Sequence, residues 1–131
     1  MVNKKIGNKF EREFAEILAE NGYWVHLLNQ NASGQPADLV AINNEHSLII
    51  DCKVCTKDYF PLSRLEDNQR YAHQLVFEKV GIYAYRVAIK MRNRIYLIPF
   101  HVLLWYEKKG HRRVTEQDLI DNHFEVGDIF L

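Results

Sequence analysis

Two cysteines, three prolines and six glycines in 131 residues leave little room for a disulfide scaffold, a proline-rich linker or a collagen-like repeat. No internal repeat or low-complexity tract occurs, so no domain boundary is drawn. No apolar run approaches the roughly 18 residues that a membrane span requires, and Met1-Val2-Asn3-Lys4-Lys5 leads into no signal-type apolar region. A single compact cytoplasmic domain over residues 1–131, with no membrane partner, is the expectation. Cys52 and Cys55 form one C-x-x-C with no second pair and no histidine pair at ligand spacing, which excludes a structural zinc site. A redox role would place such a pair at the start of a helix, whereas this one falls in a predicted strand.

What is present is an ordinary globular composition, 47% hydrophobic and 26% charged. Net charge is zero, yet its distribution is uneven. All 17 Lys and Arg lie within residues 1–115 beside 12 acids, and the last sixteen residues hold five acids and no Lys or Arg. A basic body with an acidic tail is compatible with local phosphate binding.

Phe10, Phe14, Ile17 and Leu18 predict an amphipathic helix over 8–20, stopped at Asn21-Gly22. Tyr23–Leu28 reads as a strand and 29–36 as a polar loop. Asp38–Ile42 and His46–Val54 read as two strands around an Asn43-Asn44-Glu45 turn. Ser63 with Glu66 predicts a capping box opening a helix that runs to Gly81. Ile82–Met91 and Arg94–Ile98 make a hairpin pattern, Pro99–Tyr106 a short helix, Thr115 with Asp118 a capped short helix, and Asp128–Leu131 a last strand. The fold class is α/β in the mixed α+β sense: αβββαβ, with a central mixed sheet flanked by helices.

Chemistry concentrates in Pro36-Ala37-Asp38 and, after twelve intervening residues, Asp51-Cys52-Lys53. Strand alternation projects Asp51 and Lys53 to one face. A hairpin would bring Asp38, at the start of the preceding strand, beside Asp51. Two adjacent carboxylates are costly unless a cation neutralises them, and hard oxygen ligands suit Mg²⁺, with Mn²⁺ as a substitute. Such an ion activates water and clamps a phosphate; a lysine beside it steadies the charge that builds on phosphorus. An isolated D-x-K is more often a solvated ion pair, so two further residues carry weight. Glu11 lies on the flank of the helix's apolar stripe, roughly 75° from its centre, but Glu13 lies about as far off on the other side, and geometry does not choose between them. Gln69 falls inside the expected buried stripe Leu65, Ala72 and Val76, where its amide needs a partner. A functional site would supply one; so would a nearby main-chain group.

With these residues in place, the chain resembles the Holliday-junction resolvase branch of the PD-(D/E)XK superfamily. Gly7-Asn8-Lys9-Phe10-Glu11-Arg12-Glu13 resembles the first helix of archaeal Hjc-type resolvases, and the likeness favours Glu11. Ser33 is similar to a serine those enzymes carry near the site. Phe60-Pro61-Leu62, Gln69, Gly81-Ile82 and Tyr96-Leu97-Ile98-Pro99 follow the succession of motifs in bacterial RecU-type resolvases. The likeness spans about 5–100, leaving 101–131 as a C-terminal extension. It implies an active site of Glu11, Asp38, Asp51, Lys53 and Gln69, with Glu11, Asp38 and Asp51 on the metal. It also implies a homodimer cutting branched DNA. Asp51 stands where these resolvases usually carry Glu, and no inserted stalk of the RecU kind is identifiable. The competing expectations are a restriction-like or repair nuclease, and a non-catalytic DNA-binding module on the same fold. Lys4, Lys5, Lys9 and Arg12 around the first helix, with Lys57, Arg64 and Arg70 after the catalytic strand, are expected phosphate contacts. The run Lys108, Lys109, His111, Arg112, Arg113 is either a DNA clamp or a solvated loop.

Overall fold

A computed structural model describes the backbone of residues 2–28 and 35–130, with side chains from residue 9 onward. The first helix, α1 (Val2–Glu20), begins earlier than its apolar stripe requires. Phe10, Phe14 and Leu18, four residues apart, are its buried ridge. Gly22 at φ 90° ends it, a conformation that favours glycine.

Five strands form the main sheet: β1 (Trp24–Leu27), β2 (Leu39–Ile42), β3 (Ser47–Cys55), β5 (Tyr85–Met91) and β6 (Arg94–Pro99), in the order β1-β2-β3-β5-β6. The β3–β5 pair is parallel and the others antiparallel, so the sheet is mixed as expected. The β2–β3 turn is closed by Asn43 Oδ1, which accepts the Glu45 and His46 N–H groups at 2.9 and 2.7 Å. On one face, Leu39, Ala41, Leu48, Ile50, Ala88 and Leu97 receive the α1 ridge. On the other, Tyr85, Val87, Ile89 and Met91 pack with Phe60, Leu62, Phe100, Leu103, Val114 and Leu119. The C-terminal segment therefore supplies part of the second core. No helix among the described residues is long and apolar enough to cross a membrane.

Between β3 and β5 the chain departs from expectation. A short strand, β4 (Tyr59–Pro61), precedes a 3-10 turn at Leu62–Arg64, and the helix α2 spans Asp67–Lys79. The expected capping box at Ser63 is not formed; Glu66 is the N-cap. Leu62 and Leu65 are both buried, and the chain must extend at Leu65 (φ −75°, ψ 120°) before it can start a helix. After β6 come α3 (Phe100–Lys108), β7 (Arg113–Thr115), α4 (Glu116–Asp121) and α5 (Val126–Ile129). β7 pairs antiparallel with β4 in a separate two-stranded sheet. α4 carries the expected Thr115–Asp118 capping box.

Of the last strand expected over 128–131, Asp128 and Ile129 lie instead in α5, and Leu131 is outside the described residues. Only a single bridge, Tyr96 to Glu125, continues the sheet. A strand would send neighbouring side chains to opposite faces, whereas the helical turn brings Val126, Ile129 and Phe130 together onto the α1 core.

Candidate active site

Four side chains meet where β2 begins and β3 passes. Asp38 sits one residue before β2 and is fixed to β3 from two directions. Its N–H donates to Ile50 O at 2.9 Å, and its Oδ2 accepts the Cys52 N–H at 2.7 Å. Its carboxylate lies within hydrogen-bonding reach of both Glu11 and Asp51. Asp51 is buried, and Lys53, next on its side of the strand, brings Nζ to 3.3 Å from Asp51 Oδ2. That ion pair lacks hydrogen-bond geometry: Asp51 Oδ2 has no hydrogen-bond partner among the described residues.

The electrostatics follow from burial and from two acids set against Asp38, with Lys53 paired to Asp51. Burial pushes the Asp51 carboxyl up to about 7; Lys53 opposes the rise and Asp38 adds to it. Burial likewise raises Glu11 to about 7, reinforced by the negative charge and hydrogen bonding of Asp38 and opposed by Arg12. Cys52, turned to the α1 side of the sheet, is raised well above its ordinary value, by burial first and then by the neighbouring acids. Burial also raises the Cys55 thiol, with Arg64 opposing. Neither thiol has the lowered value of a reactive cysteine.

Glu11 and Glu13 have different partners. Glu11 turns toward Asp38, whereas Glu13 Oε1 is bound by Lys90 Nζ of β5 at 2.6 Å. Gln69 is buried as expected, but its Oε1 accepts the Glu66 N–H at 3.1 Å, serving the N-terminus of α2. The main-chain partner considered for it is thus present.

Tyr85, which none of the sequence motifs includes, belongs to the same neighbourhood. It is fully buried on β5, and its hydroxyl donates a short hydrogen bond to Pro36 O, two residues before Asp38. Burial raises its phenol, and the negative charges of Asp51 and Asp38 add to the rise. Phe100, with ring centroids 5.2 Å apart, and His73 hold the ring. No local sequence signal marks this residue, because the contact depends on parallel pairing of β3 with β5.

The expected phosphate contacts divide. Lys9 and Arg12 are exposed on α1, and Lys57 and Arg64 are exposed after β3. Arg64 Nη1 donates to Val54 O at 2.9 Å, anchoring it at the end of the catalytic strand. Arg70 is engaged elsewhere, in a two-pronged pair with Glu107 of α3 at 2.6 Å on each prong. The side chains of Lys4 and Lys5, and Ser33 entirely, lie outside the described residues.

The donors at this site are hard carboxylate oxygens, one of them buried and without a hydrogen bond, and two of the acids are raised to about 7, by burial first and by Asp38 in addition. That set suits a divalent cation of the Mg²⁺ type. Among the described residues no three His, Cys, Asp or Glu groups are already gathered at metal-binding distances. Protein oxygens would therefore supply part of a coordination shell, with water completing it.

Comparison with known proteins follows the same line. A family profile described as "Archaeal holliday junction resolvase (hjc)" matches residues 2–125. Among solved structures, a Holliday junction resolvase, Hjc, from Archaeoglobus fulgidus is similar in fold. The TM-score is 0.65 at 22% identity, covering 86% of this chain and 89% of that one. No curated protein matches significantly.

Proposed function

The chain belongs to the archaeal Holliday junction resolvase family, and from that premise we propose that it cuts four-way DNA junctions with Glu11, Asp38, Asp51 and Lys53. As a resolvase it is an endodeoxyribonuclease. The observation that carries the assignment of residues is the meeting of Glu11 and Asp51 at Asp38, with Lys53 paired to Asp51 and Glu11 and Asp51 each raised to about 7. Such a cluster is destabilising in isolation and stabilising around a cation.

Mg²⁺, with Mn²⁺ as a substitute, is the proposed ion, held by Asp38 and Asp51 with Glu11 alongside; when bound it supplies an acidified water and charge neutralisation at the phosphate. The protein's own residues do the rest. Asp38, locked to β3 by two hydrogen bonds, fixes where the donors converge. Lys53 presents a point charge to the scissile phosphate, and Asp51 holds that ammonium in place. Gln69 is proposed as a supporting residue of the same site, its amide oxygen already committed to the start of α2. Lys4, Lys5, Lys9, Arg12, Ser33, Lys57 and Arg64 are proposed DNA contacts; Arg70, bound to Glu107, is available only if that pair opens.

A homodimer is proposed because paired incision across a two-fold junction needs two sites. Tyr71, Leu75, Phe77 and Val80 of α2 and Tyr83 beyond it are large apolar side chains left exposed, in keeping with a self-complementary face. We read residues 1–131 as one nuclease domain, cytoplasmic in keeping with a DNA substrate.

The test is cleavage of a labelled four-way junction and of its component duplexes, with Mg²⁺ or EDTA, by wild type and Asp38→Asn. Paired symmetric nicks on the junction alone, absent with EDTA and in the variant, are expected. Equal cutting of duplex would reduce the reading to a general nuclease. Binding without cutting would leave a recognition module.

A further inference from the structure

The two-stranded β4–β7 sheet joins parts of the chain more than fifty residues apart, and it gathers cations. Phe60 and Val114, directly paired, point inward and are fully buried. By alternation Tyr59, Pro61, Arg113 and Thr115 form the outer face. On that face the Arg113 guanidinium lies over the Tyr59 ring at 4.6 Å, and Lys57 Nζ approaches the same ring at 5.6 Å. Arg112, whose carbonyl accepts the Leu62 N–H at 3.0 Å, is held beside the turn that carries Arg64.

These cations differ from others in the molecule. Arg70, Lys90, Arg92 and Arg94 each have a carboxylate partner. Among the described residues, Lys57, Arg64, Arg112 and Arg113 take part in no salt bridge. The nearest acid of α4, Glu116, is occupied by Arg92 at 3.0 Å and by the Tyr96 hydroxyl at 2.7 Å. Asp58 is the remaining acid in the strand-leading turn, and its carbonyl is tied to the Glu116 N–H at 2.8 Å. Unpaired cations held by an aromatic ring cost less entropy to immobilise against a polyanion than free lysines do.

Position gives the face its meaning. β3 carries Lys53 and ends at Cys55, where Arg64 is anchored on Val54 O. At about 3.3 Å of rise per strand residue, Lys57 lies within about 13 Å of Lys53. Each DNA strand presents a phosphate about every 3.4 Å of axis, so that reach corresponds to a few nucleotides.

We propose that the outer face of the β4–β7 sheet is a phosphate-binding platform that grips the DNA backbone a few nucleotides from the cleaved bond, through Lys57 and Arg113 ordered on Tyr59. This rests on the resolvase reading and adds to it a defined second contact surface. It assigns Arg113, the last cation of the basic run after α3, to DNA rather than to a solvated loop.

The experiment is equilibrium binding of the full chain to a synthetic four-way junction without divalent metal, across a series of salt concentrations. Neutralising both cations in Lys57→Gln/Arg113→Gln should reduce the slope of log affinity against log salt by about two, near one per lost phosphate contact. Affinity at about 0.1 M salt should fall ~10–100-fold. Arg113→Lys should keep the slope, Tyr59→Leu should weaken binding where Tyr59→Phe does not, and Lys79→Gln, an exposed cation at the end of α2, should behave as wild type. An unchanged slope in the double variant, with wild type binding and cutting junctions, overturns the platform and leaves the resolvase reading standing. A wild-type protein that neither binds nor cuts junctions overturns both.

Discussion

Two clusters of charge hold helices to the rest of this protein, and they are built on opposite principles. Between α2 and α3, Arg70 and Glu107 meet fork to fork at 2.6 Å; the pairing raises the guanidinium and holds the carboxylate below its usual range. Between α1 and the β2–β3 hairpin, Glu11 and Asp51 meet at Asp38, with Lys53 paired to Asp51 alone, and two of the acids are forced up to about 7. The first cluster is complete as it stands and serves the fold. The second is short of positive charge, and a buried acid of that kind is tolerated where something outside the chain is to be bound.

The sharpest break in that comparison is Asp51→Asn. Junction cleavage should fall by about three orders of magnitude, the scale of losing a metal ligand's electrostatic contribution. The thermal midpoint should rise or hold, because a carboxyl that is costly to ionise has been removed. A fall in stability equal to that seen at an ordinary core position would show that Asp51 serves packing.

Next in size is Tyr85→Phe. Removing one hydroxyl leaves Pro36 O without its donor and loosens the backbone that carries Asp38; cleavage should drop roughly tenfold and more Mg²⁺ should be needed for half-maximal rate. Unchanged metal dependence would confine Tyr85 to the core.

Titration separates the clusters without mutation. For Asp51 the folded value of about 7 exceeds the ordinary 3.8, so the native state binds more protons than the unfolded chain between those values. The metal-free protein should therefore lose stability as pH rises through that window, by roughly 5 °C in midpoint, and level off above about 7. Mg²⁺ should restore more at pH 7.5 than at pH 5. Glu107 acts with the opposite sign: its lowered value stabilises above the ordinary carboxylate range and is lost only as pH falls through it. Smallest of all is Arg70→Ala, which at a part-exposed pair should cost about 0.5–1 kcal/mol in denaturant unfolding and change cleavage little.

Much of this was legible in the chain. The α1 ridge, the β2–β3 hairpin and the same-side projection of Asp51 and Lys53 follow from periods of 3.6 and 2, which local sequence records directly. The choice of Glu11 over Glu13 does not, since it depends on Lys90 arriving from β5 to claim Glu13. Ser63 carries a capping signature yet no helix starts there, because burial of Leu62 and Leu65 overrides it. The terminal Ile129 and Phe130 have strand-like composition but gain more by sharing one helical face. Tyr85, β4 and the clustering of Lys57 with Arg113 were invisible for one reason: each is made by residues far apart in the chain.

The parallel β3–β5 pairing has a kinetic consequence. The β2–β3 hairpin closes over a four-residue turn and brings Asp38 to Asp51 by local contacts alone, an event of the microsecond class. Ile49 finds Tyr85 only after β4 and α2 have been crossed, a slower closure of high sequence separation. During folding the acids are thus assembled first and latched afterwards. A nascent chain halted before residue 85 would hold the carboxyls of a nuclease without the tyrosine that locks their backbone in register.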